Sequence, residues 1–366
     1  MAICSRLQEI RKGRGISAAE LARRVGVSRQ TIYSIEDGTF LPNTATSLEL
    51  ARALDVTVEE IFSIREEPSQ PRIIADLLSG DQEAEGQFVR ACRVNQRVTA
   101  VSIPFLPAYL PLADGIIQSR TRRRVSIKPA VPLREQGKSF LIAGCDPALS
   151  LLRESLQSSG IEIITASCSS RRALEWLKQG RVHAAGSHLL DRHTGDYNLP
   201  VIRRLLPKKH VRVVNFANWE QGLVLRRGNP KSIRSIADLA RKNVRFVNRE
   251  RGSGSRDLLD TGLRRVGIRS NQVRGYDFIV HGHLAAAYAV ACGTADCCIA
   301  TRSASRCFGL DFIALRAERF DLAFTQASLE LPAAKALLDS LNRSQLRKKL
   351  QCIAGYDTTH TGDLVM

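Results

Sequence analysis

Residues 17–38, SAAELARRVGVSRQTIYSIEDG, constrain this chain more than any other stretch, because they spell two short helices joined at a glycine. Ser17 stands where an N-cap is needed, Glu20 is placed to close a capping box, and Leu21, Ala22 and Val25 mark one apolar face. Gly26 permits the turn between them. Ser28 opens the second helix, in which Ile32 and Ile35 point inward while Arg29, Gln30, Thr31, Tyr33 and Ser34 carry long or hydrogen-bonding tips. A helix that reads base edges in the major groove needs polar tips near its N-terminus and an apolar back. Ser28, Arg29, Gln30, Thr31, Tyr33 and Ser34, with Ser17 at the head of the first helix, are therefore the candidate DNA contacts.

The surrounding sequence completes a small helical domain. Ile3 to Lys12 reads as a helix with Ile3, Leu7 and Ile10 at helical spacing, and Thr44 to Leu54 as another carrying Leu48, Leu50, Ala51 and Leu54. Thr57 caps a last turn with Glu60 as its box partner, and Ile61 and Phe62 pack inward. Five helices within residues 1–65 resemble the phage-repressor (Xre/Cro) DNA-binding domain, and VSRQTIYSIEDG at 27–38 matches that family's signature. The resemblance implies a double-stranded DNA operator as partner and a homodimer on two half-sites.

The chain is long enough for two or three domains, and its 44% hydrophobic content supports sizeable cores. Its opening residues hold no apolar run of signal-peptide length, and no stretch of about 18 apolar residues occurs. A cytoplasmic protein without membrane contact is the expectation. Nine cysteines, an odd number without a CxxC pair, suggest reduced and mostly buried thiols. The net charge of +18 is unevenly spread: residues 1–65 hold nine Lys/Arg against eight Asp/Glu, whereas residues 138–366 hold thirty-five against twenty. Solvated charged faces explain most of it, with attraction for DNA or an anionic ligand as the alternative.

Residues 66–137 read as a linker and a small β-rich connector. REEPSQPR at 65–72 is polar with two prolines, Ile73 to Leu78 suggests a short helix, and Arg97 to Ile103, Arg124 to Ile127 and Pro129 to Leu133 look extended. The basic run Arg120, Arg122, Arg123 and Arg124 fits a solvated strand or turn better than a DNA contact.

From Lys138 strands and helices alternate. Residues 139–156 give a strand, a turn at Gly144 and a helix opened by Asp146 and Pro147; 162–180 repeat the plan with Ser167, Ser169 and Ser170; 181–191 end in Ser187 and His188; 243–263 carry a Gly-Ser-Gly-Ser turn before a helix with Arg256. Hydroxyl-rich loops at several helix N-termini make an anion site when they converge, since free N–H groups and partial positive charge gather there. The candidate ligand contacts are Asp146, Ala148, Ser169, Ser170, Ser187, His188, Gly252, Ser253, Gly254, Ser255 and Arg256.

GCDPAL, SSRRALEWLKQGRVHAAGSHLLD, GDYN, EQGLVLRRGNP, NRERGSGSR, GTADCCIATRSAS, LDFIALRAERFDL and GYDTTHTGDL resemble cytoplasmic substrate-binding domains related to periplasmic molybdate-binding proteins and fused behind Xre-type domains. The resemblance implies a one-component sensor with two α/β lobes at 138–366, crossovers near Val214 to Leu225 and Asp311 to Phe324, and molybdate, tungstate or another small anion as effector. The expected architecture is multidomain: an all-α five-helix domain, the β-rich connector and the two-lobed domain, with no cofactor. Molybdate only accepts hydrogen bonds, so a cleft-facing Asp146 would repel it and favour a protonated phosphate or an amine-bearing organic ligand, whereas an Asp146 that caps its own helix is neutral in that choice. An HxH pair at His281 and His283, with His188, lacks a clear third ligand for a metal. An enzyme with Cys145 or Cys168 as nucleophile beside His188 is the other alternative; buried thiols are the simpler account.

Overall fold

A computed structural model describes residues 2–65, 72–78, 85–103, 112–121, 124–135, 137–191, 193–206 and 211–366. Internal contacts divide the chain into two compact units, Met1–Pro71 and Arg72–Met366.

The first unit runs β1 (Ala2–Ser5), α1 (Leu7–Gly13), α2 (Ala18–Val25), α3 (Arg29–Glu36), α4 (Thr44–Leu54), α5 (Val58–Ile61) and β2 (Phe62–Arg65). The five expected helices are present. The first is shorter than its spacing predicts, because Ala2–Ser5 pairs antiparallel with Phe62–Arg65, Ile3 opposite Ile64. Ile, Cys and Ser are weak helix formers, so a strand partner decides their conformation. Ser17, Ser28 and Asn43 each cap a helix by accepting the N–H three residues on, and Thr57 with Glu60 forms a complete capping box. At Ser17 only half the box forms, since the Glu20 carboxylate accepts from Arg23 (2.6 Å) and Arg24 (3.0 Å) instead. Gly26 ends α2 at φ +71°, a conformation that costs a side-chain-bearing residue about 1–2 kcal/mol. Leu7, Leu21, Ala22, Ile32, Ile35, Leu50, Leu54 and Ile61 form the core. Leu48, assigned to it by spacing, is exposed instead. Arg11, buried, ties α1 to the end of α3 through two bonds to Glu36, 2.6 and 3.1 Å.

The second unit begins as a closed barrel of β3 (Ile73–Leu77), β4 (Phe88–Val94), β5 (Arg97–Ser102), β6 (Gly115–Arg120) and β7 (Arg124–Pro129), ordered β3-β5-β4-β6-β7. Ile73 to Leu78 is thus a strand and not the expected helix: it is flanked by β7 antiparallel and β5 parallel, and paired neighbours outweigh local preference in a five-residue segment. The linker at 66–71 and Arg122 and Arg123 of the basic run lie outside the described residues. The barrel fills its interior with Ala75, Leu77, Val89, Ala91, Ala100, Ile117, Val125 and Ile127. Its outer residues Leu78, Cys92, Val94 and Val101 join the core of the adjoining α/β lobe, packing with Leu141, Ile164 and Trp176. Arg90 bridges Asp114 (3.0 Å) and Glu162 (2.5 Å), and Arg181 donates to the Leu77 carbonyl at 2.6 Å. The barrel, β-rich as expected, therefore shares one core with that lobe.

The rest is β8 (Ser139–Gly144), α6 (Leu149–Gln157), β9 (Glu162–Ser167), α7 (Ser170–Lys178), β10 (Ala184–Ser187), α8 (Leu199–Leu205), β11 (Val211–Leu225), β12 (Phe246–Arg249), α9 (Gly254–Arg265), β13 (Ile279–Val280), α10 (His283–Ala291), β14 (Cys297–Thr301), α11 (Arg302–Cys307) and β15 (Asp311–Thr325), closed by helices over 326–349. Strand order is β13-β12-β14-β11-β15-β10-β8-β9. β11 and β15 are the two crossovers: 15 residues each, antiparallel along their length, they pair with β10 in one lobe and β14 in the other. Register shifts fall between Asn215 and Ala217 and between Gln221 and Gly222, which bends the ribbon where the lobes meet.

His183 is buried in the first lobe, stacked on Phe140 at 4.8 Å, with Nδ1 accepting the Leu141 N–H at 2.9 Å. Burial pushes it down to about 4 from an ordinary value of 6.5. A depressed histidine favours the fold while it stays neutral, so its contribution is complete above pH 6.5 and falls away as the pH drops through about 4, by about 3 kcal/mol. A histidine ring that remains neutral through pH 5 is expected by NMR titration; a midpoint near 6.5 for His183 would refute the assignment.

Candidate functional site

Two places carry chemistry. In the first unit, the opening of α3 presents Arg29 and Gln30 to solvent, behind which Ile32 and Ile35 are buried. Ser28 accepts the Thr31 N–H (3.0 Å) and its Oγ lies 2.8 Å from Thr31 Oγ1, so both hydroxyls are engaged in capping. Arg29 is held over Tyr33, 5.3 Å above the ring, and its Nη2 donates to the Tyr33 hydroxyl at 2.8 Å. The guanidinium is thus presented at a fixed height instead of sweeping through rotamers. Ser17 is exposed but occupied as the α2 cap, and the half-buried Ser34 supplies a carbonyl to Thr39 and Phe40.

In the second unit, a buried polar cluster sits where the crossovers pass between lobes. His188, at the end of β10, is its centre: Nε2 lies 3.2 Å from Cys145 Sγ, and Nδ1 donates to Glu318 at 2.7 Å. Burial opposes the imidazolium, but the Cys145 sulfur and the Glu318 carboxylate outweigh it and push His188 up to about 10. Glu318 also accepts from Gln221 (2.6 Å) and from both Arg316 Nε and Nη2 (3.0 and 2.9 Å). Trp219 packs its edge on His188 at 5.0 Å and on His283 at 5.4 Å. Asp146 accepts from the Ala148 N–H and the Tyr356 hydroxyl, each at 2.8 Å, and burial pushes it up to about 7.

The sequence-predicted residues divide. Asp146 and His188 belong to the cluster. Asp146 is not the N-cap expected of it: Ala148 holds that position in α6 with no side-chain cap, and Asp146 Oδ1 accepts the Ala148 N–H ahead of the helix while its Oδ2 has no partner. Ser170 accepts the His188 N–H (3.2 Å), Ser255 donates to Gln221 Oε1 (2.9 Å), and Gly254 lies against the His188 ring. Ser169 and Ser253 cap α7 and α9, and Ser187 donates to Asn198. Ser187, Ser253 and Ser255 donate their hydroxyl protons within the protein, whereas Ser169 and Ser170 accept from backbone N–H groups. Gly252 and Arg256 line a different pocket, of about 430 Å³, where Arg256 stacks 3.9 Å over Tyr276.

Other residues supply the unspent hydrogen-bonding capacity. Among the described residues, Trp219 Nε1, Arg249 Nη1, both ring nitrogens of His283 and Asp146 Oδ2 are buried without a hydrogen-bond partner. Arg249 is fully buried, paired with Glu250 at 2.8 and 3.0 Å, and its charge acts on Cys145 and His283. Burial first, then Arg249 and His188, hold His283 well below the usual histidine range. A buried polar atom left unpaired costs about 1–3 kcal/mol. Trp219, Gln221, Arg249 and Glu318 were not among the residues expected from the sequence. The available signal was the polar run NWEQ and the charged ALRAERFDL inside otherwise apolar crossover strands. Cys145, His188 and Glu318 are also aligned as a nucleophile, base and carboxylate would be. His281 is exposed and apart from His283, which instead meets Cys145 and His188 with all ligand atoms within 4.8 Å.

A helix-turn-helix domain followed by a two-lobed α/β domain with a buried polar cluster between its lobes defines a DNA-binding protein that carries a ligand-binding domain. Residues 7–61 match a helix-turn-helix family and residues 152–342 match the PBP superfamily domain. The chain belongs to the PBP superfamily, with a helix-turn-helix domain ahead of it. The uncharacterized protein YvgK of Bacillus subtilis is 34% identical over 229 residues, 62% of this chain and 74% of that one. An uncharacterized HTH-type transcriptional regulator of Methanothermobacter thermautotrophicus is 42% identical over 62 residues, 17% of this chain and 90% of its own. Among solved structures, the sulfate-binding protein SubI of Mycobacterium tuberculosis is 19% identical with a TM-score of 0.46, covering 60% of this chain and 86% of that one. No helix among the described residues is long and apolar enough to cross a membrane.

Proposed function

We propose that this chain is a ligand-responsive, Xre-type transcriptional regulator of the cytoplasm, working as a homodimer on a double-stranded operator, with a small anion as effector. The observation that carries the effector class is the pair of unspent buried donors, Arg249 Nη1 and Trp219 Nε1, beside His283. The first turns of α7 and α9, which touch His188 through Ser170 and Gly254, add helix N-termini at the same place. Molybdate and tungstate suit a donor-rich cluster, and Asp146, raised by burial and bonded to the Ala148 N–H, does not bar them. Effector binding draws the lobes together around β11 and β15, and the DNA affinity changes through the population of the closed form.

Melting of the full chain with molybdate, tungstate, sulfate, phosphate and small organic anions tests the effector, since a ligand bound only by the folded state raises stability with the logarithm of its concentration. Operator binding with and without the stabilising anion tests the switch. A change of about 5- to 150-fold is expected; identical affinities refute the regulator reading.

On the DNA side, Arg29→Ala removes the tip that Tyr33 holds in place. A base-edge contact of this kind is worth about 1–3 kcal/mol of discrimination. Specific binding is therefore expected to weaken by roughly 5- to 150-fold while binding to random DNA changes little. Equal losses on both would make Arg29 a phosphate contact.

A further inference from the structure

The buried cluster holds a second kind of chemistry that anion capture does not use. Cys145 Sγ, His188 Nε2 and a ring nitrogen of His283 lie within 4.8 Å of one another, all buried, and His283 has no hydrogen-bond partner at either nitrogen. The geometry points to a site for a thiophilic d10 metal ion, Cu(I) or Zn(II), at these three atoms.

Three arguments support it. An ion with bonds of about 2.3 Å to sulfur and about 2.0–2.1 Å to nitrogen keeps its ligand atoms roughly 3.3–3.8 Å apart, so the three need only small shifts to close on it. The Cys145 to His188 distance is already 3.2 Å. His188 donates its other ring nitrogen to Glu318, the carboxylate–histidine arrangement that fixes a metal-binding tautomer and ring plane. Thiolate with imidazole selects soft or borderline ions over Mg(II) or Ca(II), and three ligands, with no fourth among the described residues, suit trigonal Cu(I) better than tetrahedral Zn(II).

The site joins the lobes. Cys145 and His188 follow strands of the first lobe, and His283 opens α10 in the second, so the ion clamps the cleft shut through bonds. Binding releases the thiol proton and any proton on His188 Nε2. The metal site is independent of the anion reading, which stands on Arg249 and Trp219.

The test is titration of the reduced full chain with Cu(I) against a competing chelator and, separately, with Zn(II). Exposed Cys292, Cys307 and Cys352 are first replaced by Ser so that surface thiols do not compete. One ion per chain is expected. Loss of a group that merely orients a metal-ligating histidine costs about 10- to 100-fold in affinity, so Cys145→Ser and His283→Gln, which remove ligands themselves, are each expected to lose at least about 100-fold. Undiminished binding in both variants, or no tight binding of either ion by the parent, overturns the proposal. X-ray absorption on the metal-loaded parent gives an answer even where a variant fails to fold: one sulfur and two nitrogens support the site, and no sulfur or several refute it. The anion reading fails separately, when no anion raises the melting temperature of a chain that binds the metal.

Discussion

Glu318→Ala is expected to lower the stability of the second unit by about 3–5 kcal/mol, the loss typical of removing one partner of a buried ion pair. The carboxylate is fully buried and accepts from His188, Gln221 and Arg316 at 2.6 to 3.0 Å. Alanine would leave the His188 imidazolium enclosed without its counter-charge, and the ring would have to give up its proton or draw water into the hinge. Glu318→Gln keeps the volume and part of the bonding, and should fall between the two. The pH dependence has a definite sign. His188 is raised from 6.5 to about 10, so its contribution is complete below pH 6.5 and is lost as the pH climbs through about 10. The gap between wild type and Glu318→Ala is therefore widest below pH 6.5 and narrows in alkali. Denaturant melts at pH 6 and pH 10 check both points, and a difference under about 1 kcal/mol at pH 6 would show that the pair is dispensable.

Gly254→Ala is expected to abolish the effector response while leaving the DNA-binding unit intact. A methyl group at Gly254 would come 2.4 Å from His188 Cε1 and 2.7 Å from Nδ1. The ring cannot retreat, because Cys145 and Glu318 hold it from two sides and Trp219 packs on it. The strain is relieved only by drawing the start of α9 away from the first lobe, which widens the cleft. Overpacking of a tight contact costs about 1–3 kcal/mol, comparable with the whole coupling between two sites in a typical allosteric protein, so closure becomes unfavourable. Anions that raise the melting temperature of the wild type should then raise that of Gly254→Ala little, and operator affinity should no longer depend on them. A full thermal response in the variant would mean that the α9 contact with His188 does not report on closure.

The helix-turn-helix was legible because its information is local. Caps three residues apart, a glycine at a left-handed turn and apolar residues at helical spacing are set by neighbours in the chain. Misreadings fell where a distant partner decides: Ala2–Ser5 is a strand because Phe62–Arg65 lies beside it, and Ile73–Leu77 is a strand because β5 and β7 flank it. The predicted serines lie at helix starts and strand ends, where their hydroxyls cap α7 and α9 or bond His188, Asn198 and Gln221. Hydroxyl count predicts a loop's place better than its free capacity, since every buried hydroxyl first satisfies its own surroundings.

The sequence by itself determined the helix-turn-helix and the strand–helix alternation behind it, because periodicity and caps act over a few residues at a time, while the two crossovers followed from its resemblance to substrate-binding domains. Only the tertiary structure decided the buried cluster. Cys145, His188, Trp219, Arg249, His283, Glu318 and Tyr356 span over 200 positions and come together because β11 and β15 bring both lobes to one hinge. Their protonation and unpaired atoms arise from burial among one another, a property of the folded surroundings that no residue carries alone.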